Sequence, residues 1–241
     1  MSIIEQSLRA LLPQNVSAAG GPIAQAQGPL FPGEEEAVAR AVPVRQTEFR
    51  AGRTFARAAL AHLGASQAAI PRAADRRPLW PTGVVGAITH SRHIAAAIAA
   101  RSDHYLGLGV DLEPATPLDS ALYRMIGRPQ EQGGLAQPVH TGTGTVDRAK
   151  LVFAAKEAVF KAYYPLTRHF LDFQDATVGV DPDGRFTAVL VANVPPVPGH
   201  PVLHGRWMQV DRHILAVLTL AHGSEHFAQP YHRVGGRLSE R

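Results

Sequence analysis

No cysteine occurs in the 241 residues of this chain, which excludes disulfides, thiolate metal sites and a cysteine nucleophile. Long apolar runs are missing too, so no segment reads as a bilayer span. The opening "MSIIEQSLRALLPQ" has no basic start followed by an apolar core and does not read as a signal peptide. These absences fit a cytoplasmic protein that does not use a membrane. Aromatic residues amount to 7%, and no nucleic-acid recognition motif accompanies them. Lysine is the scarcest charged residue. Of 24 basic residues only Lys150, Lys156 and Lys161 are lysines, and all three fall in one short stretch.

What is present reads as globular: 45% hydrophobic and 18% charged residues, in a length that suits one large domain or two small ones. The formal charge of +4 is unevenly placed. From Arg40 to Arg77 eight arginines face only Glu48 and Asp75, leaving the remainder of the chain slightly acidic. A basic region on a nearly neutral body favours an anionic ligand or partner, with nucleic acid, a phosphorylated cofactor and an acidic protein all open.

Along the chain, the stretch from about Glu48 to Leu63 predicts a helix ended by Gly64, with Arg50, Arg53 and Arg57 on one face. "VVGAITH" predicts a strand ending at His90. Ser91 is expected to cap a following alanine-rich helix, "RHIAAAIAA". That would place His90 at a helix N-terminus, a favourable position for phosphate. "LGLGVDLEP" alternates like a strand. Pro114 to about Val146 is rich in proline, glycine and threonine and reads as a linker, its "TGTGT" lacking the lysine and spacing of a phosphate loop. A helix over about Val146–Tyr164 follows. Hairpins are expected to turn at Asp181–Gly184 and at Asp211–His213, and the tail after Gln229 is polar and basic. Two similar α+β lobes follow, at 1–114 and 147–241 with 115–146 connecting them.

Strand alternation puts Asp111 and Glu113 on one face with Gly107 and Gly109, whose missing side chains would leave room for a ligand. An isolated D-x-E is more often a solvated strand face. The helix "FAAKEAVFKAYY" alters that balance. Glu157 shares a stripe with Phe153, Phe160 and Tyr164, with Lys161 beside it, on a helix apolar around most of its circumference. A surface Glu–Lys pair would account for Glu157 and Lys161 but not for their aromatic neighbours. Three carboxylates with lysines suit magnesium shared with a phosphorylated substrate, because magnesium takes oxygen ligands and an ammonium follows charge onto a leaving phosphate.

The ordered blocks "PLWPTGVVGAITH", "GVDLEP" and "FAAKEAVFKAYYP" resemble the signatures of the 4′-phosphopantetheinyl transferases, in particular the broad-specificity type serving siderophore, polyketide and fatty-acid synthases. "TEFRAGRTFARAALAHLG" and "HGRWMQVDRHILAVLTL" are similar to that group as well. The resemblance implies an α+β fold of two pseudo-twofold lobes with coenzyme A between them. Asp111, Glu113 and Glu157 match the metal ligands, for magnesium or manganese. Lys156 and Lys161 match pyrophosphate contacts, and Thr89 and His90 a phosphate-binding block. Arg45, Arg53 and Arg72 stand where relatives hold the phosphoadenosine end. Glu157, Lys161 and Asp111 are the implied catalytic residues. Ala87 departs from a serine frequent in relatives. The implied reaction moves 4′-phosphopantetheine from coenzyme A to a serine of an acyl or peptidyl carrier protein and releases adenosine 3′,5′-bisphosphate. A monomer is expected, with no nucleic-acid partner. The rival readings are a magnesium phosphohydrolase or nuclease, a basic nucleic-acid-binding protein and a partner-binding module.

Overall fold

The computed structural model describes residues 1–26, 28–142 and 144–223; the basic tail expected after Gln229 lies outside the described residues. Helix α1 (Ile3–Leu11), capped by Ser2, leads into β1 (Ser17–Pro22). Helix α2 (Pro43–His62) starts earlier than its alanine-rich part suggests, because Pro43 suits the first helical turn. It ends as expected at Gly64, whose φ of +70 closes the left-handed turn. Three strands follow, β2 (Val84–His90), β3 (Ile94–Arg101) and β4 (Tyr105–Pro114). After α3 (Tyr123–Ile126), α4 (Pro129–Leu135), β5 (Val139–Thr141) and β6 (Gly144–Val146) comes the long helix α5 (Arg148–Thr167). Asp147 caps it by accepting from the Lys150 backbone N–H at 2.8 Å. The expected hairpins form as β7 (Ala176–Val180) with β8 (Arg185–Leu190), and β9 (Leu203–Val210) with β10 (His213–Ala221).

The strands make a three-stranded antiparallel sheet, order β1-β3-β2, and a five-stranded one, order β4-β10-β9-β8-β7. The α+β class is as expected: each half sets a 20-residue helix, α2 or α5, against antiparallel strands. The five-stranded sheet is covered on both faces. Leu151, Val152, Val159 and Tyr163 of α5 pack on Ile214, Leu218, Phe186 and Trp207. On the opposite face Leu108, Val110, Leu112, Leu215 and Val217 meet Ile4, Leu8 and Leu11 of α1.

Three expectations are corrected. The alanine-rich segment is strand β3, not a helix. It is the central strand of its sheet: Ala95, Ala97 and Ala99 face Ala51, Leu60 and Ala59 of α2, and Ala96, Ile98 and Ala100 face the other core. Burial on both faces leaves no polar residue to mark the two-residue period. Ser91 therefore caps nothing; its N–H donates to the Ile94 carbonyl at 2.8 Å and closes the β2–β3 hairpin. The stretch after Pro114 is folded, because Ile126, Leu135, Val139 and Val146 are buried in the larger core. Finally, β4, expected in the first lobe, is hydrogen-bonded along its length to β10 and lies beside β2.

The glycines of β4 make room for a helix, not a ligand. A Cβ on Gly109 would stand 1.9 Å from the Ala158 carbonyl oxygen, and one on Gly107 would stand 2.5 Å from that of Ala162. Helix α5 thus crosses β4 backbone to backbone. That close crossing brings the charged stripe of α5 beside the carboxylates at the end of β4.

Candidate active site

A cleft of about 390 Å³ lies where α2, the segment around Arg72–Pro78, β2, β4 and α5 meet. Arg45 and Arg53 reach it from α2, Arg72 and Arg76 from the segment, and Thr89 and His90 from β2. Asp111 and Glu113 reach it from β4, and Phe153, Glu157 and Lys161 from α5. One end is therefore rich in guanidinium groups and the other in carboxylates.

At the carboxylate end Lys161 Nζ donates to Asp111 Oδ1 at 2.6 Å and lies 3.4 Å from Thr89 Oγ1. The Thr89 hydroxyl donates to Asp111 Oδ1 at 3.2 Å and accepts from the Leu112 N–H at 3.2 Å, tying β2 to β4. Asp111 is 4% exposed, yet its Oδ2 makes no hydrogen bond. Such a buried acceptor is costly unless something meets it. Burial pushes the Glu157 carboxyl above its ordinary range, Asp111 and Glu113 push the same way, and Lys161 opposes them. Burial raises Glu113 likewise, with Asp111 adding to the shift and Lys150 opposing it.

These side chains fit a divalent cation in chemistry: three carboxylates line one cleft, one buried carboxylate oxygen is unmet, and burial raises the pKa of two of the carboxyls. The carboxylates are not a finished cage. Among the described residues no three His, Asp or Glu side chains stand ready to enclose an ion. Lys161 sits on Asp111, and Lys150 Nζ lies 3.4 Å from Glu113 Oε2.

At the cationic end the Arg45 guanidinium donates to His90 Nε2 and, at 3.2 Å, to Glu48 Oε2. Because arginine only donates, Nε2 must be the bare nitrogen and Nδ1 carries the proton, 3.7 Å from Glu48 Oε2. Burial first, then Arg45, lowers the pKa of His90 and keeps the ring neutral. His90 ends a hairpin strand, so no helix N-terminus supports it. Arg53 is 5% exposed, lies 4.1 Å over the Phe49 ring and has an Nε without a hydrogen bond. Burial lowers its pKa to about 10.

Of the residues expected at the site, all but Lys156 line this cleft. Lys156 is remote from the cleft: its Nζ donates at 2.8 Å to each of the Ile126 carbonyl, Glu131 Oε2 and the Phe173 carbonyl. All three N–H bonds are used, so Lys156 is a buried tie between α5 and the α3–α4 segment. The arginine face of α2 is divided as well. Arg57 is buried in a pair with Glu34 at 2.8 Å, leaving Arg53 to face the cleft. Ala87 is packed in the core and does not border the cleft.

Sequence reasoning overlooked Lys150 and Glu48. Lys150 was legible, because Lys150, Glu157 and Lys161 recur at i, i+7 and i+11, within about 40° of one another on a helix. Glu48 carried the signal of an i+3 partner to Arg45.

Residues 33–100 match the family model for the 4′-phosphopantetheinyl transferase N-terminal domain, and residues 107–217 match that for the 4′-phosphopantetheinyl transferase superfamily. The 4′-phosphopantetheinyl transferase Svp of Streptomyces mobaraensis is 40% identical over 80% of this chain and 79% of its own length. The chain belongs to the 4′-phosphopantetheinyl transferase family. Another member, the 4′-phosphopantetheinyl transferase PptT of Mycobacterium tuberculosis, is 32% identical over 79% of this chain and 86% of its own length. Enterobactin synthase component D of Escherichia coli is 34% identical over 54% of this chain and 61% of its own. In this phosphopantetheinyl transferase the two matched regions meet at the cleft. The first supplies the arginines and the Thr89–His90 pair, and the second supplies the carboxylates and Lys161. Among the described residues no helix is long and apolar enough to cross a membrane.

Proposed function

We propose that this enzyme transfers 4′-phosphopantetheine from coenzyme A to a serine of acyl or peptidyl carrier protein domains, such as those of siderophore, polyketide and nonribosomal peptide synthases. Adenosine 3′,5′-bisphosphate is released. The observation that carries the reading is the make-up of the cleft: guanidinium groups at one end, and Asp111, Glu113 and Glu157 with Lys161 at the other. A donor with one phosphorylated end and a central pyrophosphate matches that order.

In this reading Arg45, Arg53 and Arg72 hold the phosphoadenosine end by charge-assisted hydrogen bonds, and Thr89 and His90 contact phosphate. The unmet Nε of Arg53 supports its role. Asp111, Glu113 and Glu157 would hold a divalent cation, magnesium or manganese, which when bound neutralises pyrophosphate charge. Glu157 takes the proton from the carrier serine, directly or through a water, as the serine oxygen attacks the β-phosphorus. The bond from that phosphorus to the bridging oxygen breaks, and the bisphosphate leaves with its electron pair. Lys161 moves from Asp111 to the leaving oxygen and stabilises its charge.

Incubation with coenzyme A, magnesium and several apo-carrier proteins, read by intact mass, tests the reaction. A gain of one phosphopantetheine on the carrier serine is expected. Free phosphopantetheine without carrier modification would identify a hydrolase instead.

A further inference from the structure

The arginine-bearing segment of the cleft is a strap fastened at both ends. Its two sides are joined by the Leu79 N–H donating to the Pro71 carbonyl and the Ala73 N–H to the Arg77 carbonyl, each at 2.9 Å. The base is held on the α2 side. The Ile70 N–H donates at 2.8 Å to Glu34 Oε1, and Glu34 is fully buried in its pair with Arg57. The tip is held on the α5 side. Asp75 Oδ2 accepts from the Tyr164 hydroxyl at 3.3 Å and from Arg168 at 3.2 Å, with Arg77 Nε of the strap itself at 3.1 Å. Arg168 ends α5 in the left-handed conformation, φ +58, which turns the chain at the point where the tip docks.

Between the two fastenings Arg72 and Arg76 face the cleft. They share the cleft with Arg45 and Arg53. Without an anion, like-charge repulsion among these four guanidinium groups opposes holding the strap over the cleft. Asp75 is the contact that opposes it at the tip. We propose that Asp75 is a positioning residue: by docking the strap on Tyr164 and Arg168 it holds Arg72 and Arg76 over the cleft, and so sets the affinity for the phosphorylated donor. The proposal rests on the donor reading above. Asp75 touches no reacting atom, so its removal acts on donor binding and leaves turnover of bound donor intact.

The test compares Asp75→Ala, Asp75→Glu and the Arg72→Ala/Arg76→Ala double variant of the full chain. Each is assayed for transfer to a carrier protein, and the parent and the two Asp75 variants also for cleavage by trypsin after Arg72. For Asp75→Ala, the KM for coenzyme A is expected to rise about fivefold, the size of a lost solvent-exposed ion pair at the upper end of its range. Its kcat at saturating coenzyme A should stay within about twofold of the parent. Strap cleavage should quicken several-fold without coenzyme A, and Asp75→Glu should restore part of both effects. An unchanged KM for Asp75→Ala overturns the proposal whatever trypsin does. An unchanged KM in the double arginine variant instead refutes the donor reading for this segment, while the cleavage rate still reports whether Asp75 fastens the strap.

Discussion

Lys161 Nζ stands 2.6 Å from Asp111 Oδ1, while Oδ2 of the same buried carboxylate has no hydrogen bond. One side chain thus has one oxygen neutralised by an ammonium and the other buried without a partner. The lysine reaches Asp111 only because Gly107 and Gly109 let α5 lie directly on β4.

That contact suits a compact ammonium. Lys161→Arg would put a planar fork where one short bond is made, beside the Thr89 hydroxyl, and its wider head cannot follow charge onto a leaving oxygen in the same way. A fall in kcat of about 10²-fold or more is expected, with Lys161→Met falling as far. Steady-state transfer to a carrier protein checks both. An arginine variant with the parent rate would show that any cation serves.

Burial of Glu157 gives a stability signature of its own. A carboxyl whose pKa is raised by folding keeps its proton in the folded state at pH values where the unfolded chain has lost it. The folded state then binds more protons, so stability falls as pH rises through the window above the ordinary glutamate pKa of about 4.3. Glu157→Gln should remove its part of this slope in the metal-free protein, leaving that of Glu113. The variant is expected to melt higher than the parent at pH 7, by about 2–4 °C for each kcal/mol relieved, and to converge with it below pH 4. It should also lose most transfer activity. Magnesium should flatten the parent's slope and leave the variant's nearly unchanged. Thermal melts from pH 4 to 8, with chelator and with magnesium, read both effects; a variant that melts lower at pH 7 would contradict the burial argument.

Much of this was legible in the sequence because alternation and helical spacing are local. The period of two put Asp111 and Glu113 on one face, and 3.6 residues per turn put Glu157 beside Lys161. What failed depended on neighbours distant in sequence. Strand β3 is buried on both sides, so its alanines have no polar punctuation and read as a good helix. Gly107 and Gly109 were seen as vacant space, but which body fills it is decided by a helix some fifty residues later. The segment after Pro114 lacks a strong pattern because its few apolar residues are scattered in sequence and meet only in the larger core. The placement of Lys156 was readable and went unread, since a step of one residue turns it about 100° away from Glu157.

Lys156 supplies the sharpest contrast between motif and geometry. Its side chain is 3% exposed and its ammonium meets Glu131 at 2.8 Å. Glu131 in turn accepts from the Arg128 N–H at 2.7 Å and the Val178 N–H at 2.7 Å. Burial lowers the lysine pKa and Glu131 opposes that shift. Removing one member of such a pair strands the other charge and typically costs about 3–5 kcal/mol. Lys156→Met should therefore lower the unfolding free energy by that order. At a temperature where the variant is still folded, its KM for coenzyme A should remain within about twofold of the parent. Denaturant melts and transfer kinetics decide the matter together. A stable Lys156→Met with a greatly raised KM would mean that the lysine leaves its buried partners to meet the donor, and that the tie to α3 and α4 is dispensable.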